Sequence, residues 1–119
     1  MTTVLVIDDS PSEMAKFRDM LARHNFTVLE ATNGEQGCQM AVDHLPDVIL
    51  MDVVMPEMNG FQATRKITRG ETTAHIPVIM ISTKNQETDR VWGKRQGAKE
   101  YMAKPVDENG LVNIIRKVM

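Results

Sequence analysis

Four short apolar runs divide this chain, and each of them ends at a polar residue. The runs and the polar residues that follow them are Val4–Ile7 with Asp8 and Asp9, Val48–Met51 with Asp52, Val78–Ile81 with Ser82 and Thr83, and Tyr101–Ala103 with Lys104. Short runs rich in Val and Ile are typical of strands that are buried on both faces of a parallel sheet. Open α/β sheets bind their ligands at the carboxyl ends of the strands. We therefore expect these polar residues to meet at one edge of a sheet.

Helical patterns alternate with the strands along the whole chain. The predicted strands are Thr3–Ile7, Thr27–Ala31, Val48–Met51, Val78–Ile81 and Glu100–Ala103, and the predicted helices cover about residues 11–24, 34–45, 60–68, 86–96 and 108–118. Strands that alternate with helices indicate an α/β fold in which helices cover both faces of a parallel sheet. The sequence thus predicts a doubly wound (βα)5 domain with five strands.

Local patterns predict the ends and the buried faces of these helices. Ser10 is the predicted N-cap of the first helix, with Glu13 closing a capping box, and Asp107 is the predicted N-cap of the last helix. The second helix carries an apolar stripe that we expect to be buried, formed by Cys38, Ala41, Val42 and Leu45. Because it lies on that stripe, the single cysteine is interpreted as a core residue rather than as a reactive thiol.

Length, charge and cysteine content exclude several classes of protein. The chain has 119 residues and a net charge of −2, which suits one domain and gives no basic field for nucleic acid. One cysteine allows no internal disulfide and favours a reducing cytoplasm. No apolar run approaches the roughly 20 residues that span a bilayer, and the first residues lack the basic region of a signal peptide. Since no linker or tail is visible, we expect residues 1–119 to form one monomeric domain without an output domain and without membrane insertion.

The predicted sheet edge has the chemistry of a phosphoryl-transfer site. Asp8, Asp9 and Asp52 would bring three carboxylates together, which is costly unless they are protonated or neutralised by a cation. Mg²⁺ takes oxygen ligands and needs only one or two protein carboxylates beside a phosphate oxygen. Lys104 adds a positive charge and Ser82 a hydroxyl, and a carboxylate can itself accept a phosphoryl group. The acidic first turn also lacks the glycines with which a loop cradles a bare phosphate.

Simpler explanations exist for each of these residues taken singly. Paired acids after a strand can be charges at a helix N-terminus, and an Asp that ends a strand can form a turn. Ser82 could cap the following helix, and Lys104 could be an exposed cation. Their joint occurrence at the ends of different strands favours a shared site.

A carboxylate that accepts a phosphoryl group can serve as a phosphorylation switch. Two other classes of function compete with this interpretation. One is a phosphatase of the haloacid-dehalogenase type, which resembles this chain in placing an aspartyl nucleophile after a strand. That class has an acid or base two residues beyond the nucleophile, where this chain has Val54, and no segment here is long enough for a cap domain. The other is a flavodoxin-like module that binds flavin or nucleotide. The acidic first turn and the scarcity of aromatic residues, which are 4% of the chain, disfavour it.

Over its full length the sequence resembles the receiver domain of two-component response regulators. The matching residues are Asp8-Asp9, Asp52 with Met55-Pro56 and Gly60, Ser82-Thr83, Gly97-Ala98, Tyr101 and Lys104-Pro105. The resemblance implies a CheY-like sheet with strand order 2-1-3-4-5. It also implies a signalling domain that is not an enzyme, receives a phosphoryl group from a CheA-like histidine kinase and acts on a downstream protein.

The resemblance implies a role for each matching residue. The implied assignments are the phosphoacceptor Asp52; the Mg²⁺ ligands Asp8, Asp9, Asp52 and the backbone carbonyl of Val54; the phosphoryl-pairing Lys104; and the switch pair Ser82 and Tyr101. The peptide bond before Pro105 is implied to be cis.

Residues 83–98, together with residues 61–65, resemble the single-domain regulators of the type IV pilus twitching system more narrowly. This resemblance implies a role in twitching motility, with a general chemotaxis-type receiver or a phosphate sink as the alternative. The predicted fourth helix carries a candidate partner surface formed by Arg90, Trp92, Lys94 and Arg95. A merely solvated charged face is the alternative reading of these cations, and the tryptophan among them favours docking.

Overall fold

The computed structural model describes all residues from Met1 to Met119 and contains five strands and five helices that alternate. The strands are β1 (Thr3–Ile7), β2 (Thr27–Ala31), β3 (Val48–Asp52), β4 (Val78–Ser82) and β5 (Glu100–Ala103). The helices are α1 (Pro11–Ala22), α2 (Gly34–His44), α3 (Gly60–Thr68), α4 (Glu87–Arg95) and α5 (Glu108–Val118). The predicted (βα)5 fold is confirmed, and no helix is long and apolar enough to cross a bilayer.

All neighbouring strands are parallel, and their order is β2-β1-β3-β4-β5, as the resemblance implied. Strand β3 therefore lies at the centre of the sheet, and all five of its residues are buried. At its carboxyl end Met51 pairs with Ile7 of β1, and Asp52 pairs with Ile81 of β4. The last residues of these three strands consequently lie side by side.

Two apolar cores lie on opposite faces of the sheet. One contains alternate residues of the strands together with residues of α2 and α3, and Gly93 of α4 packs on its Met80. The other contains the remaining strand residues with residues of α1 and α5. Cys38 is 5% exposed within the first core, and burial raises the pKa of its thiol, so its interpretation as a core residue is confirmed.

The predicted buried stripe of α2 is wrong at its carboxyl end. Val42 is 51% exposed and Leu45 is 48% exposed. Helix α2 ends at His44, and Leu45 adopts a left-handed conformation with φ 45°, so its side chain leaves the helical stripe. The residues that α2 buries are Gly34, Gly37, Cys38 and Ala41. Val42 lies at the edge of that set on the helical wheel, which leaves it in contact with solvent.

The predicted capping box of α1 is only half formed. The backbone N–H of Glu13 donates to Ser10 Oγ at 3.3 Å, as expected. The backbone N–H of Ser10, which Glu13 would have bonded, instead donates to Asp8 Oδ1 at 2.9 Å. The helix start thus fixes one oxygen of Asp8. The predicted cap of α5 is confirmed, because the N–H of Gly110 donates to Asp107 Oδ2 at 2.8 Å.

Candidate functional site

The predicted meeting of three carboxylates is confirmed at the carboxyl edge of the sheet. One oxygen from each of Asp8, Asp9 and Asp52 lies within 4.8 Å of the other two. Asp8 is 2% exposed and Asp52 is 8% exposed, whereas Asp9 lies on the surface. Two of the three charges are therefore largely removed from water. Their mutual repulsion is poorly screened at this buried site.

Lys104 is the one cation that joins this cluster. Its Nζ lies 3.1 Å from Asp8 Oδ2 and 3.4 Å from Asp52 Oδ1, and its side chain is 11% exposed. Burial lowers the pKa of Lys104, but the carboxylates of Asp52 and Asp8 together raise that pKa by more than burial lowers it. The pKa of Lys104 therefore lies above its ordinary value. The Lys104 N–H donates to the carbonyl of Ser82, and the Lys104–Pro105 bond is cis, as the resemblance implied.

The charge of this site is out of balance without a bound cation. Burial and the neighbouring Asp8 raise the pKa of Asp52 from 3.8 to about 6, although Lys104 acts in the opposite direction. The donors are all oxygen atoms, with no His or Cys among them. This is the donor set that a hard divalent cation prefers, and a second positive charge would relieve the repulsion. The residues present therefore fit Mg²⁺.

The backbone around Asp52 is held by a close contact with the start of α3. A Cβ at Gly60 would lie 2.1 Å from the carbonyl oxygen of Asp52 and 2.7 Å from the Cα of Val53. The Gly60 N–H also donates to the carbonyl of Val53 at 2.8 Å. Only glycine allows this approach, so the requirement at Gly60 arises from packing rather than from φ.

Ser82 and Tyr101 lie on the neighbouring strands, and both are buried. Ser82 is 0% exposed, and its Oγ accepts a hydrogen bond from the N–H of Lys84 at 3.0 Å. Tyr101 is 7% exposed, and its hydroxyl donates to the carbonyl of Lys84. The predicted switch pair is thus brought to one loop, between β4 and α4.

The four residues of the predicted partner surface do not share one environment. Trp92 is 47% exposed, and Lys94 and Arg95 are also exposed. Arg90 is only half-exposed, because its Nη1 donates to the carbonyl of Tyr101 at 3.0 Å and its Cζ lies 5.5 Å from the centroid of the Tyr101 ring. The sequence carries no local signal for this contact, which joins residues eleven positions apart.

Two side chains that lie two residues beyond Asp52 and two residues beyond Ser82 are open to solvent. Val54 is 56% exposed. Lys84 is 52% exposed, and its Nζ lies 3.7 Å from Asp89 Oδ1, so its charge is directed toward α4. Neither side chain offers a carboxylate or an amide that could position water.

Comparison with known proteins defines the class. The response regulator receiver domain family matches residues 4–116, and the chain belongs to that family. Such domains are signalling domains that hold Mg²⁺ in an acidic pocket. Among individual proteins, the chain is 54% identical to protein PilH of Pseudomonas aeruginosa over 119 residues, which cover all of this chain and 98% of PilH. It is also 36% identical to the response regulator PleD of Caulobacter vibrioides, over 97% of this chain but only 25% of PleD.

Solved structures of receiver domains have the same fold. The chemotaxis protein CheY4 of Vibrio cholerae superposes with a TM-score of 0.94 at 28% identity, covering 100% of this chain and 99% of CheY4. The receiver domain of the sensor histidine kinase PA1611 of Pseudomonas aeruginosa superposes with a TM-score of 0.91, also at 28% identity, over 98% of this chain and 95% of that one. That structure has a magnesium ion coordinated in its active site cleft.

Proposed function

We propose that this chain is a phosphorylation-dependent switch that receives a phosphoryl group on Asp52 from a CheA-like histidine kinase and then regulates a partner protein. The observation that carries the proposal is the position of the Asp52 carboxylate. It is buried at the end of the central strand, 3.4 Å from Lys104 and within 4.8 Å of two further carboxylates. Lys104, together with a cation held by the three acids, would offset the negative charge of an incoming phosphoryl group.

The transfer step follows from the protonation state of Asp52. With a pKa of about 6, this carboxylate is mostly ionised at neutral pH and can act as a nucleophile. One of its oxygens attacks the phosphorus of a phosphohistidine, the P–N bond breaks, and the electron pair leaves with the imidazole. Lys104 can turn its ammonium from Asp8 and Asp52 toward the phosphoryl oxygens, and the Ser82 hydroxyl can donate to another.

Mg²⁺ would be held by Asp8, Asp9, Asp52 and the backbone carbonyl of Val54. When bound, it neutralises the carboxylates and stabilises negative charge on the transferred group. The chain itself supplies the orientation, because the Ser10 N–H fixes one oxygen of Asp8 at 2.9 Å.

The biological setting is proposed from the relatives and from the surface of the chain. The 54% identity to PilH, with the resemblance over residues 83–98, supports a role in type IV pilus twitching motility. Residues 1–119 would act as a monomeric cytoplasmic receiver that does not bind nucleic acid. The downstream partner would contact the α4–β5–α5 face, including Arg90, Trp92, Lys94 and Arg95. A general chemotaxis-type receiver or a phosphate sink is the second candidate.

The proposal is tested by phosphoryl transfer from candidate histidine kinases that have been charged with labelled ATP in Mg²⁺. Wild type should become labelled, Asp52→Asn should not, and Asp43→Asn should behave as wild type because Asp43 is an exposed acid of α2. Label should be lost on treatment with hydroxylamine, which cleaves acyl phosphates. Undiminished labelling of Asp52→Asn would remove the assignment of the acceptor.

A further inference from the structure

Three cavities follow one another along the crevice between α2 and α3. The first, of about 330 Å³, lies between the starts of the two helices and the loop that follows β3. The second, of about 370 Å³, runs along α2 from Glu35 to Val42, and the third, of about 250 Å³, reaches from Val42 to Thr73. Glu35 lines the first two cavities, whereas Cys38, Val42 and Lys66 line the last two. The cavities therefore form one continuous depression, here called the α2–α3 groove.

The floor of the α2–α3 groove is apolar, and one of its apolar side chains is open to solvent. The two helices touch at the base, where Cys38 Sγ lies 3.7 Å from the carbonyl oxygen of Ala63. Ile67, which lines the third cavity, is 2% exposed. Val42 is 51% exposed, although the apolar pattern of α2 predicts that it is buried. The apolar surface of α2 is thus wider than the surface that the sheet and α3 cover.

The charges of the α2–α3 groove are unpaired, and acids outnumber the single cation. No charged residue that lines it forms a salt bridge, and these residues are Glu35, Glu57, Glu71 and Lys66. Glu35 and Glu57 lie at one end, and Glu71 lies at the other end, after α3. Lys66 is exposed between them, so its stem can cover the wall while its ammonium stays in water. The groove is therefore acidic at both ends and apolar in the middle.

We propose that the α2–α3 groove docks an amphipathic helix of a partner protein, with apolar residues at its centre and a basic residue near each end. A third helix can lie in the crevice between two neighbouring helices, where its apolar face would cover Cys38 and Val42. Its basic residues would face Glu35 and Glu71, which have no cation of their own in this chain. Helix α2 has 11 residues and is about 16 Å long, so a docked helix of three to four turns would match it.

The α2–α3 groove shares no residue with the α4–β5–α5 face, to which the proposed function assigns the downstream partner. One molecule could therefore hold two proteins at the same time. At its acidic end the groove is lined by Pro56, Glu57 and Met58 of the loop that follows Asp52. A helix docked there would contact this loop directly, but its binding does not require a phosphoryl group on Asp52.

The probes are two stapled helical peptides of about four turns that carry a fluorophore. Both have leucines along one face, and they differ only near their two ends, where one has lysines and the other has glutamates. A third peptide has the composition of the basic peptide in scrambled order. Fluorescence anisotropy in EDTA gives each dissociation constant for the unphosphorylated protein, and amide chemical shifts of the protein show where each peptide binds.

Two double variants with the same change in charge are compared with wild type. Glu35→Lys with Glu71→Lys reverses the charge at both ends of the groove. Asp19→Lys with Glu87→Lys is the matched control, because it changes exposed acids of α1 and α4 outside the groove. Val42→Ser removes an apolar contact at a position that is half-exposed and therefore tolerates a hydroxyl.

Wild type should bind the basic peptide and shift amides of α2 and α3. The groove variant should bind the basic peptide about tenfold more weakly and should prefer the acidic peptide, whereas the matched control should bind as wild type does. Val42→Ser should weaken binding of the basic peptide several-fold. The proposal is overturned if wild type prefers the acidic or the scrambled peptide, if no peptide binds, or if the shifted amides lie around Asp52 or on the α4–β5–α5 face.

Failure of the proposed function would look different. Asp52→Asn, which cannot accept a phosphoryl group on Asp52, should bind the basic peptide as tightly as wild type does. A groove variant that fails to fold is recognised by the loss of its cooperative thermal transition. The positions of the shifted amides in wild type and the affinity of Val42→Ser then still decide whether the groove binds the helix.

Discussion

Asp52→Asn should stabilise the metal-free protein at neutral pH, although it removes the proposed phosphoacceptor. Burial and Asp8 raise the pKa of Asp52 from 3.8 to about 6, with Lys104 opposing them. Between these two values the folded state binds more protons at this carboxyl than the unfolded state does, so the free energy of unfolding falls as the pH rises through that window. Above it, wild type carries the whole penalty of the buried charge, and the uncharged amide carries none.

The size of the effect follows from the shift. About two pKa units at about 1.4 kcal/mol each give an upper limit of about 3 kcal/mol. Asp52 is 8% exposed, so some of the charge is screened by water, and we expect about 1.5–3 kcal/mol. Lys104 is not left unpaired in the variant, because Asp8 Oδ2 lies 3.1 Å from its Nζ.

Urea denaturation in EDTA measures this difference, at one pH near 4 and at another near 8. The advantage of Asp52→Asn should be small at the lower pH and largest at the higher one, and Asp43→Asn should show no such trend. Mg²⁺ should raise the stability of wild type by binding its folded state. An Asp52→Asn variant that is less stable than wild type near pH 8, or a difference that does not grow with pH, would refute the electrostatic account.

Three further variants test other features of the site. Glu57→Gly should raise the free energy of unfolding by about 0.5–1 kcal/mol in urea denaturation, because φ 67° places Glu57 in the left-handed region, which strains a non-glycine residue. No gain would mean that contacts of the Glu57 side chain offset this strain. Gly60→Ala should lower the free energy of unfolding by about 2 kcal/mol or more, since the alanine Cβ would lie 2.1 Å from the backbone carbonyl oxygen of Asp52. A neutral effect would show that the backbone relaxes easily at this contact. Val54→Asn combined with Lys84→Glu should speed loss of label from the phosphoprotein about tenfold in Mg²⁺, because the new amide and carboxylate can position water. Unchanged decay would mean that these two side chains do not control the access of water to Asp52.

The sequence predicted the convergence at the sheet edge because the signals for it are local. Each apolar run marks a strand by itself, and parallel topology then brings the strand ends together. Asp8, Asp52, Ser82 and Lys104 were placed correctly on this ground. The two central runs were each predicted one residue short, since Asp52 and Ser82 still pair within the sheet.

The contacts that were not predictable depend on competition between partners. Glu13 had a suitable spacing for the Ser10 N–H, but the Asp8 carboxylate, placed by the end of β1, binds that N–H instead. The hydrogen bond from Arg90 to the carbonyl of Tyr101, eleven residues away, likewise depends on the packing of α4 against β5. Both outcomes follow from side-chain positions in three dimensions, for which a single sequence has no periodic signal.

Strand β5 pairs with β4 alone and has four residues, whereas β3 lies between two neighbours and is buried throughout. Native proteins open in cooperative units, and units at a sheet edge open at lower free energy than the centre. Tyr101 lies in β5 and Lys104 follows it directly, so one opening event would remove both side chains from the site at once. The acids on β1 and β3 would stay in place during that event. Amide hydrogens of β5 should therefore exchange well before those of β3, through an excited state that retains the cation-binding acids but has lost the lysine and the tyrosine.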